Sequence, residues 1–245
     1  MFLIRPSYMV LGNPIYQTML DIVCDASACC YRAIPPDKLE EQEAKIQARI
    51  KAGHESVIEH VGFSVMLRVD RGITHELCRH RTGIALSMES SRYCNYTNGK
   101  FGNEITFVMP PEVSVIVPEG RYLEVVPLVS ADETAIFIAD EDGKLTTNVG
   151  SNKAVAEWAM GLLQAERSYR NAVTMGMEPE IARGLLPNAT AAYITITANM
   201  REWRHIFKLR ALGTTGRPHP QMVEIMSQVL GEAKLRFPAF FADLV

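Results

Sequence analysis

Several features that would place this chain quickly are missing from it. No apolar run reaches the length of a membrane span, so no spanning helix and no membrane partner are expected. The opening MFLIRPSYMV starts apolar, but Arg5 and Pro6 break it before it could serve as the core of a signal peptide. Cysteine is sparse and odd-numbered, and no pair among Cys24, Cys29, Cys30, Cys78 and Cys94 has zinc-finger or redox CxxC spacing. Reduced thiols in a cytoplasm-like compartment are the simple reading. Positive charge is not in excess. Twenty-five Lys and Arg face 28 Asp and Glu, a net charge of -3, so nothing pulls the whole molecule towards nucleic acid. No GxSxG elbow, internal repeat, low-complexity tract or separating linker is found.

What is present reads as one globular domain over residues 1–245. The hydrophobic fraction of 47% and charged fraction of 22% exclude a disordered chain. Helical spacing runs through 15–32, 152–173 and 220–235. A charged helix is expected over 37–51, with Asp37 and Glu40 resembling a capping arrangement. Phe63, Val65, Leu67 and Val69 alternate, which predicts a strand over 62–69. Short strands are expected at 104–109 and 190–197, and short helices at 73–81 and 179–185. The helix over 199–212 should end at Gly213 and bury Trp203, Ile206 and Phe207, with Arg201 and His205 on a polar face. Residues 111–150 shift towards Val, Pro, Glu and Asp and suggest a β-rich insertion, with a hairpin turning at Asp142-Gly143. Without a regular βαβ rhythm, the expected class is α+β: a mixed or antiparallel central sheet flanked by helices.

The chemistry concentrates in RHRTGIALSMESSRYCNY, residues 79–96. A metal site is not indicated there, because His75 and His80 are five apart and would point about 140° away from one another on a helix. A nucleophile is not indicated either. Cys78 lies beside Arg79 and His80, but burial is its ordinary state, and Ser87, Ser90 and Ser91 near His80 in sequence do not make a triad. Anion binding fits best. Arg79, His80 and Arg81 would fan through about 200° on a helix and could serve two neighbouring ligands. Arg92 and the serines add donors, and a guanidinium is shaped to grip phosphate. Arg210 continues the apolar stripe of its helix and therefore needs a partner or a ligand.

Taken together, the segments RHR at 79–81, SSRY at 90–93, HESVIEH at 54–60, IARGLLP at 181–187 and NMREWRHIFKLR at 199–210 resemble the flavin-dependent thymidylate synthases. Eight residues separate Arg81 from Ser90 where that family has seven, and Met88 stands where Gln or Glu is common. The resemblance implies the thymidylate synthase-complementing type of fold and the conversion of dUMP to dTMP. The carbon donor would be 5,10-methylenetetrahydrofolate, with FAD and NADPH, in a homotetramer whose active sites are shared between subunits. Carried over by position, it implies that Glu76, Leu77, Cys78, Arg79, Met88, Glu89, Ser90, Ser91, Arg92, Arg183 and Arg210 contact dUMP. His54, Ser56, Glu59, Arg79, His80, Arg81, Met88, Asn199, Met200, Arg201 and His205 would contact FAD, and no metal is expected. Arg210 takes the catalytic role on physical grounds, as the cation that draws charge towards O4 or N3 of uracil and so loads C5. Two other readings compete: a cysteine-dependent nucleotide methylase built on Cys78, and a catalytically idle nucleotide- or flavin-binding homologue. An RNA-binding module is disfavoured by the acidic balance and the lack of an RNP-like aromatic strand.

Overall fold

The computed structural model describes residues 1–127, 134–139, 145–148 and 152–245. In chain order the elements are β1 (Phe2–Ile4), β2 (Ser7–Leu11), α1 (Tyr16–Cys29), α2 (Leu39–Lys51), a 3-10 turn (Glu55–His60), β3 (Gly62–Asp70), α3 (Arg71–Leu77), β4 (Ile84–Met88) and β5 (Thr106–Val108). Then come α4 (Pro111–Ser114), β6 (Gly120–Pro127), β7 (Thr134–Ala139), β8 (Leu145–Asn148), α5 (Lys153–Thr174), α6 (Pro179–Ala182), β9 (Ala191–Asn199), α7 (Met200–Arg210), α8 (Pro220–Arg236) and α9 (Pro238–Phe241). The class is α+β. The chain packs as two compact units, each gathered from three stretches: Met1–Pro6, Arg68–His75 and Met88–Tyr193 in one; Ser7–Leu67, Glu76–Ser87 and Ile194–Val245 in the other.

The first unit holds a five-stranded mixed sheet in the order β5-β1-β6-β7-β8. β1 runs parallel to β5, Phe2 opposite Thr106, and antiparallel to β6, Phe2 opposite Arg121. The β-rich stretch expected over 111–150 is therefore built onto the N-terminal strand. β6, β7 and β8 follow as antiparallel neighbours, and the hairpin tip at Asp142-Gly143 lies outside the described residues. Leu3, Ile105, Phe107, Tyr122 and Tyr169 are buried in this unit's core with Val155, Ala159, Leu162 and Leu163 of α5. Helix α5 is the amphipathic helix expected from its spacing, and the Asn152 side chain caps it by accepting from the amides of Ala154 and Val155.

The second unit is organised on a four-stranded sheet in the order β2-β3-β9-β4. Strand β3 alternates as expected, with Phe63, Val65, Leu67 and Val69 buried. Trp203 of α7 stacks on Phe63 with ring centroids 4.7 Å apart and on Phe207 at 5.4 Å, and its indole N–H donates to the Phe63 carbonyl at 3.0 Å. That bond satisfies the polar atom of a side chain that is otherwise fully buried. Phe237, Phe240 and Phe241 close the cluster from the C-terminal segment.

The start of α7 is held from two sides. The Asn199 amide donates to the Gly83 carbonyl and the Met200 amide to the Val61 carbonyl. Both approaches need glycine. A Cβ on Gly62 would lie 2.3 Å from the Ala198 carbonyl oxygen, and one on Gly83 would lie 2.5 Å from the Asn199 side chain, at a backbone φ of +66° that disfavours any other residue.

Three local expectations change. The helix expected over 73–81 stops at Leu77, so Arg79, His80 and Arg81 sit on a connecting loop and do not fan around a helix. Gly83 turns that loop into β4, a strand the sequence did not announce. Helix α2 starts after Lys38 with no side-chain cap, so the Asp37–Glu40 arrangement does not form.

Candidate active site

Helix α7 supplies the centre of the second unit's site. Asn199 caps it, its side-chain oxygen accepting from the Glu202 amide at 2.9 Å. Trp203, Ile206 and Phe207 are buried, while Arg201 and His205 face outwards as expected. Arg210, at the C-terminal end, has three of its five N–H groups committed to the protein. Nη1 donates to the Glu76 carboxylate at 2.8 Å, Nη2 to the Glu76 carbonyl at 3.1 Å, and Nε to Nε2 of His80 at 3.2 Å. The residue also lines a cleft of about 550 Å³. Arg79, Arg81, Arg210 and Arg217 line this cleft with His80, His205 and Glu202, giving four guanidiniums against one carboxylate. Such a wall suits an anion carrying more than one negative charge. A second cleft of about 450 Å³ shares Thr82, Glu202 and His205 with it and adds Glu55, Glu59, Gly83, Asn199, Arg201 and Lys208. The pair can hold an elongated ligand, anionic at one end and hydrogen-bonding at the other.

Beneath the clefts lies a buried polar pair. Nδ1 of His80 and the Glu202 carboxylate are 2.9 Å apart, and both side chains are buried. Burial lowers the His80 pKa to about 4, and the neighbouring Arg210, His205 and Arg79 add to the fall. Burial alone lifts Glu202 to about 7. The contact is therefore a neutral imidazole against a carboxylate that titrates near neutrality, and not a histidinium ion pair. His80, Glu202 and His205 each bring a ligand-type atom within 4.8 Å of the others. They are poorly suited to a cation, because both His80 ring nitrogens are engaged and Arg210 stands against one of them.

The first unit carries a second set. Glu89 is pinned at the end of β4: the Tyr96 hydroxyl donates to it at 2.8 Å, and its backbone amide donates to the Tyr193 carbonyl. Ser90 opens the turn that follows, its hydroxyl accepting from the Arg92 amide, while Ser91 is buried and within 3.4 Å of the Arg183 guanidinium. Arg92 reaches Glu180 at 3.0 Å and lies over the Tyr93 ring. Arg92 and Arg183 are both exposed.

Against this geometry the comparisons with known proteins are specific. Residues 16–239 match the family described as thymidylate synthase complementing protein. The chain belongs to that family. Every motif from His54 to Arg210 quoted above lies inside the matched span. Flavin-dependent thymidylate synthases from Mycobacterium sp. (strain JLS) and Mycobacterium tuberculosis (strain ATCC 25177 / H37Ra) are similar to it, at 27% identity over 227 residues and 28% over 223. The alignments cover 89% of this chain and 77% and 76% of those relatives. Among solved structures, the crystal structure of a UMP/dUMP methylase from Streptomyces cacaoi bound with 5-Br dUMP has the same fold. Its TM-score is 0.70 at 18% identity, over 99% of this chain and 96% of that one.

The structure sorts the expected residues of this family member. In the second unit, Arg79, His80, Arg81, His205 and Arg210 line the guanidinium cleft, and Glu59, Asn199, Arg201 and His205 line its neighbour. Glu76 stands behind Arg210, and His54 and Ser56 are exposed without lining either cleft. Leu77 and Met200 are core side chains and can offer a ligand only backbone atoms. Cys78 is exposed, contrary to the burial expected of it. Met88, Glu89, Ser90, Ser91, Arg92 and Arg183 belong to the first unit. Sequence reasoning missed Glu202, Arg204, Arg217 and Tyr96. Arg204 is 2% exposed, pairs with both carboxylate oxygens of Asp243, donates to the Phe240 carbonyl and reaches Glu55 at 3.3 Å. No local signal marks Arg204, because the carboxylate that holds it lies 39 residues along the chain. Among the described residues no helix is long and apolar enough to cross a membrane.

Proposed function

We propose that the protein is a flavin-dependent thymidylate synthase acting as one catalytic domain. It reductively methylates dUMP to dTMP with 5,10-methylenetetrahydrofolate as carbon donor and NADPH as the ultimate reductant, in the cytoplasm. The observation that carries the reading is an oriented Arg210 facing a cleft of guanidiniums, in a chain of the thymidylate synthase-complementing family. Every ligand in the reaction is anionic, which accounts for a local arginine cluster on a mildly acidic protein. The methylene group must gain two electrons to become a methyl; FAD, when bound, supplies that reduction, with NADPH as the source of the electrons.

The chain's own residues provide binding and charge. Arg79, Arg81 and Arg217 offer guanidiniums to phosphate oxygens. Glu59, Asn199, Arg201 and His205 hold the rest of the cofactor, and the family resemblance adds His54, Ser56, His80, Met88 and Met200 to its contacts. Glu76, Leu77, Cys78, Arg79, Met88, Glu89, Ser90, Ser91, Arg92 and Arg183 seat dUMP, with neighbouring copies of a homotetramer contributing to one shared site. Arg210 directs its uncommitted N–H groups at the uracil edge and stabilises negative charge on O4 or N3 as C5 attacks the carbon donor. A charge-assisted bond of this kind contributes about 1.5–3 kcal/mol, and more where it strengthens in the transition state. No thiol attacks the ring.

The test is spectroscopic and chemical. Freshly purified protein should absorb as an oxidised flavin, bleach anaerobically with NADPH, and regain colour on adding dUMP with methylenetetrahydrofolate while dTMP accumulates. Bleaching and recovery without dTMP, or dTMP formation by flavin-free protein, would overturn the reading.

A further inference from the structure

We propose that Glu202 is a positioning residue for Arg210, acting through His80, and that its charge sets the acidic limit of the reaction. The argument starts from donors and acceptors. Arg210 Nε carries a hydrogen at every accessible pH and points at Nε2 of His80 from 3.2 Å. Nε2 must therefore be a lone pair. A neutral imidazole has one hydrogen, so it resides on Nδ1 and is donated to Glu202 at 2.9 Å. The opposite arrangement, a carboxylic acid donating to Nδ1, would place a hydrogen on Nε2 against the Arg210 hydrogen. The chain thus runs one way, from Arg210 to His80 to Glu202. A carboxylate behind an imidazole makes the far nitrogen a better acceptor, so anionic Glu202 tightens the hold on Arg210.

The surroundings fit this assignment. Glu202 is 8% exposed, and its backbone is fixed by the Asn199 cap. The charged and titratable groups around the pair are Arg79 and Arg81 on the loop, His205, Arg201, Lys208 and Arg210 on α7, Glu55 and Glu59 on the 3-10 turn, Glu76 on α3 and Arg217 beyond α7. Burial, and after it the guanidiniums of Arg210 and Arg79, keep His80 neutral. Burial holds Glu202 near pH 7, so its charge is lost as pH falls through that value and Arg210 is then held less firmly.

This inference rests on the thymidylate synthase reading for its kinetic arm but not for its spectroscopic one. Infrared difference spectra of the purified full-length protein between about pH 8.5 and about pH 5.5 should show a protonated carboxyl band with a midpoint near 7, absent from Glu202→Gln. In turnover assays, kcat of the native protein should fall roughly tenfold over that interval. Glu202→Gln, which keeps an acceptor but cannot ionise, should fall less than about twofold, with KM for dUMP little changed in either. In an Arg210→Lys background, adding Glu202→Gln should produce no further change in the pH profile. The proposal is overturned if the infrared band is missing from native protein or persists in Glu202→Gln. It is also overturned if the acidic limb survives in Glu202→Gln, or if Glu202→Gln lowers turnover equally at all pH, as a merely structural role would. Absence of any dTMP formation would sink the activity reading, and the infrared arm would still decide whether Glu202 titrates against His80.

Discussion

The two sets of candidate ligand residues are built in opposite ways. In the second unit Arg210 is oriented by three hydrogen bonds, one of them to a buried histidine backed by a buried carboxylate. In the first unit Arg92 is exposed, and its partner Glu180 is exposed as well. An exposed ion pair contributes about 0–1 kcal/mol and yields readily to a competing anion. The difference suggests a division of labour. A guanidinium fixed before ligand arrives can stabilise charge that exists only in the transition state, because it need not reorganise at that moment. A guanidinium on a solvated turn can swing to a phosphate as it binds.

Four changes break or sharpen this contrast. Trp203→Ala should have the largest effect, because the fixed side rests on the stack of Phe63, Trp203 and Phe207. A loss of about 3–5 kcal/mol is expected in urea unfolding, and a loss below 1 kcal/mol would mean that α7 is held otherwise. Arg210→Ala should lower kcat by roughly 10²–10³-fold while the flavin absorbance remains. A change confined to KM would place Arg210 with the adaptable set instead. Arg92→Ala should weaken dUMP binding about tenfold by calorimetry and leave the melting temperature nearly unchanged, since one charge-assisted contact is lost. Cys78→Ala should be the mildest, within about threefold in kcat. A dead variant that still binds nucleotide would restore the thiol-nucleophile reading.

How much of this was visible in the sequence followed the range of the interactions. The strand at Phe63 to Val69, the long helix α5 and the buried stripe of α7 announce themselves because each pattern is complete within a few turns or residues. Strands β1 and β4 do not, because they are short and owe their state to partners far along the chain: β1 to β5 and β6, β4 to β9. The loop at Arg79 to Arg81 reads as helix from sequence because it follows the apolar rhythm of Ile73 to Leu77, whereas Gly83 and the pairing of β4 draw it out of the helix. Arg210 could be singled out, since a cation on an apolar stripe demands a partner. Glu202 and Arg204 could not: their burial depends on His80 and Asp243, at sequence separations of 122 and 39 residues. A charged residue near the start of a helix ordinarily faces water.

The two glycines that meet at the start of α7 carry a lesson for anyone recoding this protein. Saturation libraries should return glycine almost alone at positions 62 and 83. At the first, a neighbouring main chain occupies the room a side chain would need; at the second, the backbone angle forbids one as well. Loop-swapping between relatives of different loop length should therefore keep Gly83 in register with Asn199 and place any insertion on the far side of it.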